Sequence, residues 1–174
     1  MLTAGFERVG WQDMSEVDRQ YPVLLQAYAQ DIASLTVFYP GALAAVAALS
    51  TAGFAVSICT NKPESLAIQL IKALGATEVF DALVGGDTLP LRKPNPAPFW
   101  EAVDRAGGDR SRACLIGDTI TDRCTASNAG VPSVLVTFGP GGADMASLAP
   151  AALLQDFADL PDLVAQLIGR NNKS

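Results

Sequence analysis

Two carboxylates four residues apart, Asp118 and Asp122, follow the apolar run 113–116 and a single glycine, Gly117. On one side of a helix such a pair holds its Cβ atoms about 5–6 Å apart. At an effective dielectric near 20 the two charges repel by roughly 3 kcal/mol, and in water by less than about 1 kcal/mol. A buried pair therefore calls for a cation, and oxygen ligands of this kind suit Mg²⁺. The same spacing equally fits a helix start with Asp118 or Thr119 as N-cap. Three further polar stretches end apolar runs or precede them. Thr60-Asn61 offers a hydroxyl and an amide, or merely a helix cap. Lys93, in Arg92-Lys93-Pro94-Asn95-Pro96, offers a cation, or merely a solvated loop lysine. Asp87, after Gly85-Gly86, reads as a turn residue. Taken together, Thr60, Asn61, Lys93, Asp118 and Asp122 are the groups that a phosphorylated dianion with Mg²⁺ would use.

Those residues need elements to bring them together. Apolar stretches 54–59, 80–84, 113–117, 132–138 and 151–154 read as strands, the longer ones buried on both faces. Helices are expected over 42–52, 63–74, 99–106, 122–129 and 160–168, with Gly53, Gly75 and Gly130 closing three of them. Strands alternating with helices at this spacing predict an α/β fold, a doubly wound parallel sheet with helices on both faces. In such sheets ligands bind at the carboxyl ends of the strands, where Thr60, Asn61, Asp118 and Asp122 fall. Residues 15–35 show a separate helical pattern in which Pro22 predicts a start or a kink.

Composition narrows the chemistry further. The 174 residues contain no histidine, which removes Ser-His-Asp and Cys-His nucleophile pairs and His-ligated zinc. Cys59, Cys114 and Cys124 lack metal-ligand spacing and fit small apolar roles in a reducing compartment. A net charge of −6 and pI near 4.5 argue against nucleic-acid or anionic-lipid partners. No stretch has the length of a membrane span or the pattern of a signal peptide, so the expected location is the cytoplasm. A dinucleotide fingerprint fails at Asp144, and no Walker sequence occurs.

In order, Ile58-Cys59-Thr60-Asn61-Lys62-Pro63, Arg92-Lys93-Pro94-Asn95-Pro96 and Gly117-Asp118-Thr119-Ile120-Thr121-Asp122 resemble the second, third and fourth motifs of the haloacid dehalogenase-like superfamily, in its phosphoglycolate phosphatase-like branch. Phe38-Tyr39-Pro40-Gly41-Ala42 and Gly86-Asp87-Thr88-Leu89-Pro90 are similar to intervening stretches. The resemblance implies a Rossmann-like hydrolase of small phosphomonoesters such as 2-phosphoglycolate, working through an aspartyl-phosphate with Mg²⁺. It implies that Thr60 and Asn61 bind the phosphoryl group, that Lys93 neutralises it, that Asp118 ligates the metal, and that Asp122 supports the metal site. Asp87 carries over more weakly.

The pattern departs from the family in one respect. The first motif, a strand followed by D-x-D-x-T, supplies the nucleophilic and acid/base aspartates, and no D-x-D occurs in this chain. Residues 1–38 resemble the end of the family's helical cap, and residues 39–174 its core without the first strand, as if Met1 were an internal methionine. In the family that strand lies between those ending at Cys59 and Gly117. Without it, strands that normally pair at about 4.8 Å stand roughly 9.6 Å apart. Either they close up, another chain fills the gap, or the fold is marginal. The expected chain is thus an incomplete phosphatase, inactive alone, or else a non-catalytic phosphate- and metal-binding chain or a fragment without a role. Its oligomeric state is open.

Overall fold

Apolar runs that stop at polar tips form the strands, and the leucine- and alanine-patterned stretches between them form the helices. The protein is described here by a computed structural model covering residues 2–11 and 14–169. Residues 1, 12, 13 and 170–174, which fall within the two expected segments, lie outside the described residues. The order is α1 (Leu2–Arg8), α2 (Met14–Gln30), α3 (Ala42–Thr51), β1 (Ser57–Cys59), α4 (Glu64–Ala73), β2 (Ala82–Val84), α5 (Ala97–Arg105), β3 (Leu115–Gly117), α6 (Ile120–Ala129), β4 (Ser133–Val136), β5 (Ala152–Leu154) and α7 (Leu160–Ile168). Short 3-10 turns cover Arg110–Arg112, Gly142–Leu148 and Phe157–Asp159.

The chain divides into two units, Met1–Thr36 and Val37–Ser174. In the first, α2 runs through Pro22 instead of starting there. Proline removes one intrahelical hydrogen bond, and the apolar stripe that includes buried Val17 continues on both sides of it.

In the second unit every strand pairing is parallel. Ser57, Ile58 and Cys59 of β1 stand opposite Ala82, Leu83 and Val84 of β2. Leu115, Ile116 and Gly117 of β3 stand opposite Ser133, Val134 and Leu135 of β4, which pairs with β5 on its other edge. The order is therefore β2–β1 in one sheet and β3–β4–β5 in another, with no pairing between β1 and β3. The two strands have not closed up. A cavity of about 470 Å³ separates them.

The strands are shorter than their apolar runs, including β4, which is paired on both edges and spans Ser133–Val136. Phe54 and Ala55 were expected in β1, yet the ladder holds only where β2 stands opposite. Apolar cover comes from both faces. Ala45 and Leu49 of α3 and Leu160 and Val164 of α7 pack with Val134, Val136 and Leu154. Phe99 of α5 and Ala126 of α6 pack with Leu115 on the other face. This is the doubly wound α/β arrangement read from the alternation.

Candidate functional site

The tips of β1 and β3 are joined by one side chain. The Lys93 ammonium donates to the Cys59 carbonyl at 2.7 Å and to Asp122 Oδ1 at 2.7 Å. Its loop reaches that position because Asn61 grips the Lys93 backbone at both ends. Asn61 Nδ2 donates to the Lys93 carbonyl at 3.0 Å, and Lys93 N–H donates to Asn61 Oδ1 at 3.0 Å. Asn128 adds a third hold, donating to the Pro94 carbonyl at 2.9 Å, just beyond the cis Lys93–Pro94 peptide. Nothing in the sequence marks Asn128 for this, since it lies on α6, far from the loop along the chain.

At the β3 tip the helix-start reading and the charge-pair reading meet. Thr119 is the N-cap of α6, and its hydroxyl accepts from Asp122 N–H at 3.3 Å. In return Asp122 Oδ2 accepts from the Thr119 hydroxyl at 2.6 Å and from the backbone N–H groups of Asp118 and Thr119 at 3.3 and 3.2 Å. Asp122 is 5% exposed, so this carboxylate needs all of these donors together with Lys93. Both of its oxygens are engaged. The Asp118 carboxylate, half-buried, takes no hydrogen bond or ion pair among the described residues, and Gly139 leaves it room: a Cβ there would lie 3.1 Å from Asp118 Cβ.

Two glycines permit the close approaches. A Cβ on Gly117 would fall 2.4 Å from Asp122 Cβ, so only glycine lets the cap fold back under the strand end. A Cβ on Gly86 would fall 2.3 Å from the Asn61 carbonyl oxygen, and the Gly86 N–H donates to the Lys62 carbonyl at 2.8 Å. The β2 tip is thereby pressed onto the β1 tip. Asp87 belongs to this clamp: its Oδ1 accepts from Glu64 N–H at 2.7 Å and so caps α4 from across the loop. The turn role read from its sequence was incomplete. Thr60 sits just past β1, its N–H bound to the Val84 carbonyl at 2.9 Å and its hydroxyl oxygen accepting from Lys62 N–H at 3.1 Å, with its own proton still to give.

Of the expected site residues, Thr60, Lys93, Asp118 and Asp122 therefore converge at the carboxyl ends of β1 and β3. Asn61 is at the same place, its amide oxygen and one amide N–H holding the Lys93 backbone. For a hard divalent cation the chemistry of the donors fits at one point: Asp118 presents an uncommitted carboxylate. Among the described residues no group of three or more His, Cys, Asp or Glu side chains could hold a metal, so these residues supply only part of a coordination sphere. Cys59, beside Lys93, has its thiol pushed up by burial, against the lowering effect of the ammonium.

The fold is a parallel α/β arrangement of the Rossmann-like class, with Lys93, the Thr60 hydroxyl and the Asp118 carboxylate at its strand tips. Comparison with known proteins gives the family. The haloacid dehalogenase-like hydrolase family matches residues 3–136, and the chain belongs to that family. It is 40% identical over 157 residues to phosphoglycolate phosphatase of Mesorhizobium japonicum, covering 90% of this chain and 69% of that one. To phosphoglycolate phosphatase of Agrobacterium fabrum it is 38% identical over 157 residues, 90% of this chain and 67% of the other. The chain thus spans about two thirds of the length of these relatives. A solved structure described as a predicted phosphoglycolate phosphatase from Haemophilus somnus shares the fold with a TM-score of 0.79 at 24% identity, over 93% of this chain and 73% of that one. No helix among the described residues is long and apolar enough to cross a membrane.

Proposed function

We propose that this chain carries the phosphoryl- and metal-binding part of a cytoplasmic Mg²⁺-dependent phosphatase for a small phosphomonoester, with 2-phosphoglycolate as the substrate. The observation that supports this most is the Lys93 ammonium, held at once on the Cys59 carbonyl and on Asp122, which makes one site of three separate motifs. In this reading the Thr60 hydroxyl donates to a phosphoryl oxygen. Lys93 supplies positive charge and its remaining N–H, and Asn61 positions Lys93. Asp118 would hold Mg²⁺, with Asp122 steadying the Asp118 backbone through its 3.3 Å hydrogen bond. Bound there, the cation supplies charge neutralisation on the phosphoryl oxygens. The choice of 2-phosphoglycolate rests on the relatives' names, and residues 1–38 are read as part of a helical cap.

None of these groups is the carboxylate nucleophile of an aspartyl-phosphate route. Phosphate-monoester hydrolysis is so slow unaided that enzymes accelerate it by up to about 10²¹-fold, and charge neutralisation alone falls far short of that. Residues 1–174 are therefore expected to bind and not to turn over. Titration calorimetry with Mg²⁺ tests the metal half: weak binding that Asp118→Ala abolishes is expected. Binding unchanged in Asp118→Ala would contradict the assignment. The absence of D-x-D favours, as a second reading, a chain that binds phosphate and metal for a non-catalytic purpose. It predicts no gain of activity when a D-x-D strand is supplied.

A further inference from the structure

The segment leaving β4 passes against the β3 tip at Gly139. A Cβ there would lie 3.1 Å from Asp118 Cβ, 3.2 Å from Val136 Cγ2 and 3.6 Å from Asp118 Oδ2. Carbon atoms rest against each other at about 3.5–4.0 Å, so the first two distances require something to move. Gly139 is not among the glycines with left-handed backbone, so alanine there adds no conformational strain and space alone is at issue. Rotating the Asp118 side chain does not relieve a clash at its Cβ, because the backbone fixes that atom. One of two backbones has to yield. On the β4 side Val136 is 5% exposed, and all four residues of a strand paired on both edges are buried. The segment beyond is held as well: Thr137 N–H donates to the Leu154 carbonyl at 2.9 Å, Gly142 N–H to the Gly139 carbonyl at 3.0 Å, and Arg123 Nε to the Leu148 carbonyl at 3.0 Å. On the β3 side, β3 pairs with β4 alone among the described residues, and the Asp118 N–H reaches Asp122 Oδ2 over a long 3.3 Å. The tip that carries Asp118 is the part that gives.

We infer that Gly139 is a positioning residue for the Asp118 carboxylate: its missing Cβ lets the two segments touch, fixes where Asp118 stands against the cap of α6, and leaves Oδ2 uncovered. A methyl group at position 139 would rest on that oxygen and displace Asp118, while Lys93 stays tied to Asp122 and to the Cys59 carbonyl. The carboxylate and the ammonium would then no longer keep their relative places. The inference rests on the reading of Asp118 as the metal carboxylate and deepens it, adding to that site a residue from the segment after a different strand.

The experiment uses residues 1–174, with amide hydrogen exchange and a Mg²⁺ titration followed by NMR and urea unfolding measured beside them. Gly139→Ala should weaken Mg²⁺ binding by about tenfold, as loss of a residue that orients a metal ligand does. Without Mg²⁺, the Asp118 amide should exchange about tenfold faster in this variant, while the Thr137 amide keeps its rate. Val136→Ala removes the other wall of the clash and lets the added methyl back away from Asp118. In the Gly139→Ala background it should restore most of the Mg²⁺ affinity while lowering urea stability further. A merely structural role would lower both. Three results would overturn the proposal: Mg²⁺ affinity unchanged in Gly139→Ala, faster exchange at Thr137 with none at Asp118, or a double variant that folds and is weaker in both affinity and stability. If the double variant does not fold, the two amides of Gly139→Ala decide. Absence of Mg²⁺ binding in the unsubstituted chain would end the metal reading, and the same two amides, read without metal, would still decide whether Gly139 positions Asp118.

Discussion

Lys93 and Asp122 form an ion pair at 2.7 Å with side chains only 10% and 8% exposed. Removing one partner of so buried a pair leaves the other uncompensated, at a cost of about 3–5 kcal/mol. Lys93→Ala should therefore lower urea-unfolding stability by about 3 kcal/mol. The Lys93→Ala/Asp122→Asn double variant should lose clearly less than the sum of the two single losses. Additive losses would mean that the pair is not coupled. A second expectation concerns Cys114, whose thiol is pushed from 9.0 up to about 11 by burial. Its folded value lies above its unfolded one, so the folded chain keeps a proton that the unfolded chain releases. The resulting stability is complete below pH 9 and is lost as pH rises from about 9 to 11, amounting to about 2–3 kcal/mol. Cys59 shifts in the same direction. Cys114→Ala should remove most of this slope in denaturation series between pH 8 and 11, and an unchanged slope would contradict the assignment.

At the level of elements, the strand tips work because glycines let neighbouring segments touch. Gly117→Ala would drive a Cβ to 2.4 Å from Asp122 Cβ and should cost about 1–3 kcal/mol while breaking the Thr119–Asp122 cap. Gly5→Ala, in α1 with nothing within 4 Å of the added Cβ, should be neutral or slightly stabilising and serves as the control. Equal thermal shifts for the two would show that the cap is not tightly packed. The element order was legible because period and punctuation agreed. Gly130, for example, closes α6 at φ +69°, as its place after the helical pattern suggests. Strand length was not legible, since it depends on a partner elsewhere in the chain: the run from Phe54 to Cys59 looks like six strand residues, and β2 holds three. The placement of Thr60, Lys93, Asp118 and Asp122 about the tips of β1 and β3 was legible from residue types that recur at the ends of apolar runs. The roles of Asn61, Asn128 and Asp87 were not, because each acts across the fold on a backbone group that no local pattern reveals.

The second unit is built on two parallel sheets whose tips are tied by Lys93 across a cavity of about 470 Å³. The central proposal is that Thr60 and Lys93 bind the phosphoryl group, that Asp118 holds the metal, and that residues 1–174, which contain no D-x-D, do not supply the nucleophile. Phosphate release from 2-phosphoglycolate with Mg²⁺ tests this most directly, comparing residues 1–174 with the same chain carrying a strand and D-x-D-x-T fused ahead of residue 1. The account predicts no release above background for residues 1–174 and measurable turnover for the fusion. Comparable turnover by both would contradict it and place an unrecognised nucleophile among these 174 residues.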